Sequence, residues 1–239
     1  MYIKTKAIVV SSIKFRDADL IVKCYTKSKG SISFMVKGVL KSKKGKLRPA
    51  MFQTLNLLDI EFQHREKGQL EYLKEVKISE HLNSIQSDIY KSTLVMFLSE
   101  ILKSVIFEEE PNPNLFDFIE NSIQHLEQTK HYANFHISFL VNLSTYLGFA
   151  PHKPVQSNEV YFNLNEGYFE TTENKYSMCL ENSSLFLQFL NHTLERNQLI
   201  KMNKKNRQEL LNLILVYYQL QIEGFKNPKS LEVIESIFN

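Results

Sequence analysis

The sequence predicts an α+β chain in which a small all-β unit precedes a helical one. Three observations carry this. Residues 1–77 break into five short runs of strand character with no long helix. From about residue 79 the apolar residues recur at helical spacing. The charge reverses at the same place: residues 1–77 hold seventeen Lys and Arg against seven Asp and Glu, whereas residues 78–239 hold twelve against nineteen. The modest overall charge of +3 therefore conceals a basic unit of +10 and an acidic one of −7. With 239 residues, 43% hydrophobic and 23% charged, the chain has room for one large domain or two small ones. The predicted units are 1–78 and 79–239.

The strands follow in order. "YIKTKAIVVS" (2–11) is rich in β-branched residues, and "ADLIVKCYT" (18–26) alternates with Leu20, Val22 and Cys24 on one face. "KSKG" is a turn in which Gly30 is free to take a positive φ. "SISFMVKG" then turns Ile32, Phe34 and Val36 inward, "LNLLDIEF" (55–62) groups Leu58, Ile60 and Phe62, and "QLEYLKEVK" (69–77) completes the set. Five antiparallel strands in so short a span close most economically as an OB-fold barrel, which leaves few unpaired edges.

Beyond residue 79, "DIYKSTLVMFLSEILKSVIFEE" (88–109) carries Leu94, Phe97, Leu98, Ile101, Leu102 and Val105 on one helical face, and the prolines of "EEEPNPN" end it. "LFDFIENSIQHLEQ" (115–128) follows. In "YANFHISFLVNLSTYLGF", Phe135, Phe139, Leu143 and Leu147 form a four-residue ladder with Gly148 as the expected C-cap. "SSLFLQFLNHTLE", "RQELLNLILVYYQLQIE" and "SLEVIESIF" are further helices. The second of these is apolar from Leu210 to Leu220 and is expected to run buried through the centre of the bundle. "NEVYFNLNEGYFETTENKYS" reads as a β-hairpin inserted near 159–171, turning at Asn165-Glu166-Gly167.

Little in the chain points to catalysis. Seven glycines form no phosphate-binding loop, and no nucleophile elbow is present. His125, His131 and His136 lie close in sequence without a metal-ligating Cys, Asp or Glu set, and the acidic run Glu108-Glu109-Glu110 beside prolines reads as a solvated helix end. Cys24 and Cys179 stand alone, with Cys24 expected as a small core residue. No run is apolar enough for a membrane span, and nothing at the start reads as a signal peptide, so a cytoplasmic location is expected. The reading is of a protein that is not an enzyme and takes no cofactor. The basic unit is suited to a polyanion.

The order of these features carries a resemblance. "AIVV…DADLIVKCYTKSKGSISFMVKGVLKSK", then a helical region broken after "YLGFAP" (146–151), then the hairpin "YFNLNEGYF" (161–169), resembles the RecO family of bacterial DNA repair and recombination mediators. The resemblance covers the whole chain in outline. It implies an N-terminal OB-fold that binds single- and double-stranded DNA without sequence preference. It also implies strand annealing and, with RecR, loading of recombinase onto strands coated with single-strand binding protein, in association with the nucleoid. Many members carry two Cys-x-x-Cys pairs for Zn²⁺ after the "LGF" segment. Here Cys179 is the lone cysteine of that region, four thiolates cannot be assembled, and no zinc is expected. The hairpin is then expected to be held by Tyr161, Phe162, Tyr168 and Phe169.

Within this frame "KGVLKSKKGKLRP" (37–49) is the loop between strands three and four. Lys37, Lys41, Lys43, Lys44, Lys46 and Arg48 are its candidate phosphate contacts, extended by Lys14 and Arg16 from the first inter-strand loop. In "IKMNKKNR" (200–207), Lys201, Lys204, Lys205 and Arg207 are candidates for the acidic, Phe-ended tail of single-strand binding protein. Two other readings stay open: an RNA-binding OB-fold protein of translation, and a non-catalytic scaffold.

Overall fold

A computed structural model describes residues 1–41, 47–64, 70–106 and 110–238. Lys43, Lys44 and Lys46 of the expected DNA contacts lie outside the described residues, as do Glu108 and Glu109 of the acidic run. The chain forms two compact units, Met1–Glu127 and Gln128–Asn239.

In the first unit, strands β1 (Tyr2–Phe15), β2 (Asp19–Thr26), β3 (Gly30–Val36), β4 (Leu57–Gln63) and β5 (Leu73–Ile78) form an antiparallel sheet in the order β3-β2-β1-β4-β5. The sheet closes on itself through Glu71: its N–H donates to the Ser33 carbonyl at 2.9 Å, and its carbonyl accepts from Met35 N–H at 2.8 Å. This is a parallel bridge between β3 and the approach to β5, and it completes the OB-fold barrel. β1 runs four residues beyond the expected end. Its first half pairs with β4, its second half with β2, and the register shifts between Val9 and Ser11, where a bulge lets one strand serve both sides. The extension was hidden because exposed Ile13 and Lys14 break the apolar alternation there, and backbone pairing to Ile21 and Leu20 sustains the strand instead.

The predicted inward sets meet in one core: Leu20, Val22 and Cys24 with Phe34, Val36, Leu58, Ile60 and Phe62. The rings of Phe34 and Phe62 meet edge to face, with centroids 5.1 Å apart. A 3-10 turn at Pro49–Phe52 inserts Phe52 into this core and interrupts what the sequence presented as a plain loop.

Helices α1 (Asn83–Ser87), α2 (Ile89–Val105) and α3 (Pro113–Gln128) follow. Secondary structure changes where the sequence indicates, but packing carries the first compact unit on to Glu127. Lys6 Nζ reaches Glu120 at 2.7 Å, Lys27 reaches Asp117 at 2.6 Å, Lys23 donates to the Ile106 carbonyl and Tyr25 Oη to that of Asn112. Tyr25 is thus a buried barrel-wall residue lying against Phe116, closed to any nucleobase. Asp88 caps α2 by accepting from the N–H groups of Tyr90 and Lys91. The Lys91 ammonium, tucked inside, donates to Ser84 Oγ and to the Glu127 carbonyl, and burial lowers its pKa.

The second unit contains α4 (Phe135–Tyr146), the hairpin β6 (Tyr161–Asn163) and β7 (Tyr168–Glu170), α5 (Leu180–Asn191), α6 (Lys204–Gln221) and α7 (Leu231–Ile237). α4 ends in a Schellman motif: Gly148 takes φ +87° and Phe149 N–H donates to the Ser144 carbonyl at 3.1 Å. α6 departs from the expectation of a helix buried all round. Leu210, Leu211, Ile214, Leu215, Tyr217 and Tyr218 are buried, whereas Asn212, Val216, Gln219 and Leu220 face water. A high apolar count misled because Val216 and Leu220 fall on the polar side. The hairpin is held by fewer rings than expected. Phe162 packs on Phe169, Phe186 and Tyr217 with centroids 4.6–5.5 Å apart, while Tyr161 is half-buried and Tyr168 points to solvent.

Candidate nucleic-acid interface

The barrel gathers positive charge at one rim. β1 ends beside the start of β2, which pairs with the end of β3, so Lys14 lies opposite Leu20 and Leu20 opposite Val36. Lys37 is the next residue of the chain. Arg16 turns out of β1 at φ +53° with its guanidinium 5.1 Å from the Phe15 ring centroid. The following segment is tied to the same place: the Asp19 carboxylate accepts from Gly38 N–H at 2.7 Å, and the Ala18 carbonyl accepts from Leu40 N–H at 2.9 Å. These bonds bring Lys37 and Lys41 beside the β1–β2 turn that carries Arg16. Arg48 is exposed at the head of the Pro49–Phe52 turn.

Lys14, Arg16, Lys37, Lys41 and Arg48 are all exposed, and none forms an ion pair among the described residues. Four other barrel lysines are paired with acids, whereas Lys29 and Lys77 are exposed without an ion pair among the described residues. Lys6 and Lys27 face Glu120 and Asp117, and Lys4 and Lys74 share Glu61 at 3.4 and 2.6 Å. The Lys74 ammonium, bonded to Glu61, holds that carboxyl below its ordinary pKa. Four cations without ion pairs, Lys14, Arg16, Lys37 and Lys41, gather on the rim, where Asp17 and Asp19 are the nearby acids. Flexible lysines on such a rim can follow a phosphate backbone without reading bases.

The second cluster divides. Lys204, Lys205 and Arg207 occupy the first turn of α6, whose cap Asn203 accepts from Asn206 N–H, and Lys201 is exposed just before it. Arg207 is half-buried and committed, donating to Asn134 Oδ1 at 3.0 Å and to the Met202 carbonyl; Lys205 lies 3.7 Å from Glu209. Lys204 and Arg207 line a small cavity with His136, Leu211, Ile234 and Phe238. Its apolar wall is therefore Leu, Ile and Phe, not the tyrosines of α6, which bond instead to the carbonyls of Phe149 and Leu140.

The sequence reading missed Tyr2 and Tyr72, exposed on the barrel and lining one cavity with Gln63, Leu73 and Lys74. The available signal was an aromatic at the first residue of the 2–11 run and another at the fourth residue of the 69–77 run.

A zinc centre does not fit the second unit. Cys179 is exposed at the N-cap of α5, and no three His, Cys, Asp or Glu side chains converge on a metal site among the described residues.

An OB-fold barrel with a basic rim, followed by helices that begin on the barrel itself, defines a class of nucleic-acid-associated protein. The family models agree. The one described as "Recombination protein O N terminal" matches residues 1–82, and "Recombination protein O C terminal" matches residues 86–232. The DNA repair protein RecO of Christiangramia forsetii is 46% identical over 239 residues, and that of Flavobacterium psychrophilum is 40% identical, both over the full length of each chain. The DNA repair protein RecO of Bacteroides fragilis is 34% identical over 240 residues, covering 99% of each. The chain belongs to the RecO family of DNA repair and recombination proteins.

Proposed function

We propose that this protein is a non-catalytic recombination mediator. It binds single- and double-stranded DNA through the barrel rim, anneals complementary strands and, with RecR, helps load recombinase onto strands covered by single-strand binding protein. The observation that carries the reading is the rim of Lys14, Arg16, Lys37 and Lys41, exposed and without ion pairs on an OB-fold barrel, while Lys4, Lys6, Lys27 and Lys74 are paired with acids. Sequence-independent contact is what annealing of arbitrary strands requires. Lys204 and Arg207, with Lys201 beside them, are the proposed seat of the acidic tail of single-strand binding protein. The protein acts in the cytoplasm at the nucleoid; no helix among the described residues is long and apolar enough to cross a membrane.

The test is fluorescence-monitored annealing of complementary strands precoated with single-strand binding protein. Acceleration by the wild type, lost on replacing the four rim cations by Ala, is expected. Unchanged annealing by that variant overturns the rim assignment, and tighter binding to RNA than to single-stranded DNA of the same sequence favours a translation role instead.

A further inference from the structure

Where the barrel closes, the start of β1 and the approach to β5 meet and leave two tyrosines in water. Tyr2 is 59% and Tyr72 40% exposed. Both line one cavity of about 160 Å³. That is several times the roughly 30 Å³ a water molecule occupies in the liquid, so the space admits a planar ring. Each tyrosine has a cation over its face: Lys37 Nζ lies 4.9 Å from the Tyr72 centroid, and Lys74 Nζ 4.4 Å from that of Tyr2. Lys37 is also a member of the basic rim, so cavity and rim are continuous. Among the described residues, Glu61 is bonded to both Lys74 and Lys4, and Glu71, next to Tyr72, lies 3.2 Å from His64.

We infer that Tyr2 and Tyr72 form a base-stacking subsite for single-stranded DNA, entered from the basic rim. The inference rests on the DNA-binding reading above and adds the base contact that the rim alone lacks. A strand whose phosphates follow Lys37 presents unpaired bases to whatever lies beside it. Every base has a π-face, so stacking on tyrosine holds any sequence. An ammonium over an exposed ring is a weak pairing. Phosphate is the stronger partner for the same ammonium. As a base arrives, Lys37 exchanges ring for phosphate and uncovers the Tyr72 face, while Lys74 stays bonded to Glu61 beside Tyr2. A duplex keeps its bases stacked inside and cannot use the subsite, so the pair discriminates single from double strands.

The chain contains no tryptophan. Tyr2→Trp and Tyr72→Trp each therefore install a lone tryptophan, excited selectively over the tyrosines, at the proposed contact. Titration with oligo-dT is expected to quench it, while an abasic phosphodiester of equal length and a duplex bind without comparable quenching. Tyr2→Ala and Tyr72→Ala are each expected to weaken oligo-dT binding roughly 5- to 100-fold. The slope of log K against log salt and the affinity for duplex should not move, and Phe should restore most of what Ala loses. Circular dichroism confirms folding of each variant. Equal quenching by abasic and dT strands, or oligo-dT affinity unaltered in both Ala variants, overturns the subsite. Wild type that binds oligo-dT beside such Ala variants removes the subsite alone; wild type that binds no strand removes the DNA-binding reading with it.

Discussion

His136 shows how much one side chain can depend on its surroundings. It is fully buried in α4, and burial, together with the nearby Arg207 charge, pushes its pKa down to about 3. Lys204 and Arg207 of α6 and Glu235 of α7 line the adjoining cavity. An unfolded imidazole takes its proton near pH 6.5, so between that value and about 3 the unfolded chain holds the extra proton. Stability contributed by the neutral ring is thus present above 6.5 and falls on acidification. The loss is expected to reach about 2 kcal/mol at pH 5. Urea titrations at pH 7 and pH 5 should show this fall in the wild type and a shallower one in His136→Gln; parallel pH profiles would refute the assignment. Nothing in the sequence separated His136 from His125 and His131, because the burial comes from residues far along the chain. Cys24 was legible: alternation placed it in the core, and burial raises its thiol pKa to about 12, far from reactive.

At the scale of elements, the hairpin rests on Phe162. Removing a ring that is 0% exposed leaves a cavity among three aromatic partners, and Phe162→Ala is expected to cost about 3–5 kcal/mol. Tyr168→Ala, at a solvent-facing position on the neighbouring strand, should stay within about 0.5 kcal/mol. Denaturant midpoints compare the two directly, and similar losses would return Tyr168 to the packing. The rim gives a second expectation. Replacing Lys14, Arg16, Lys37 and Lys41 by Ala should reduce the slope of log K against log salt on single strands by up to about 3, at roughly 0.7 per phosphate contact. An unchanged slope places the DNA elsewhere. Strand positions and the rim were legible because alternation and charge are local signals. The second half of β1, the Phe52 turn and the Tyr2–Tyr72 pair were not, because each depends on barrel closure, which joins residues distant in sequence. α6 reads as buried all round from its apolar count, but Val216 and Leu220 fall on its exposed face.

For the whole molecule, the division after Glu127 has a consequence for dissection. A fragment 1–78 contains every barrel strand but strips α3 from Lys6, Lys27 and Tyr25. A fragment 1–127 keeps these contacts, and it is expected to unfold cooperatively at a distinctly higher temperature than 1–78. Equal melting temperatures would show that the helices add nothing to the barrel. Such pairings were invisible in the sequence because more than a hundred residues separate Lys6 from Glu120. Without a thiolate set, the intact protein should show the same melting temperature before and after treatment with a chelator. A large fall would reveal a structural metal.

Barrel closure through Glu71 also sets a timetable for synthesis. β1, β2 and β3 are neighbours in the chain and can pair as soon as they leave the ribosome, but the open side of β3 has no partner until residue 71 emerges. At 5–20 residues per second that wait lasts about 2–7 s. During it β3 is an exposed edge, a template for pairing with any other extended segment in the cell. The first residues translated after this strand are "KGVLKSKK". Lysines beside a naked edge repel a second copy carrying the same charges and keep the strand from being extended. The stretch proposed to meet phosphates in the finished protein would thus have an earlier task during synthesis, guarding the gap that Glu71 later fills.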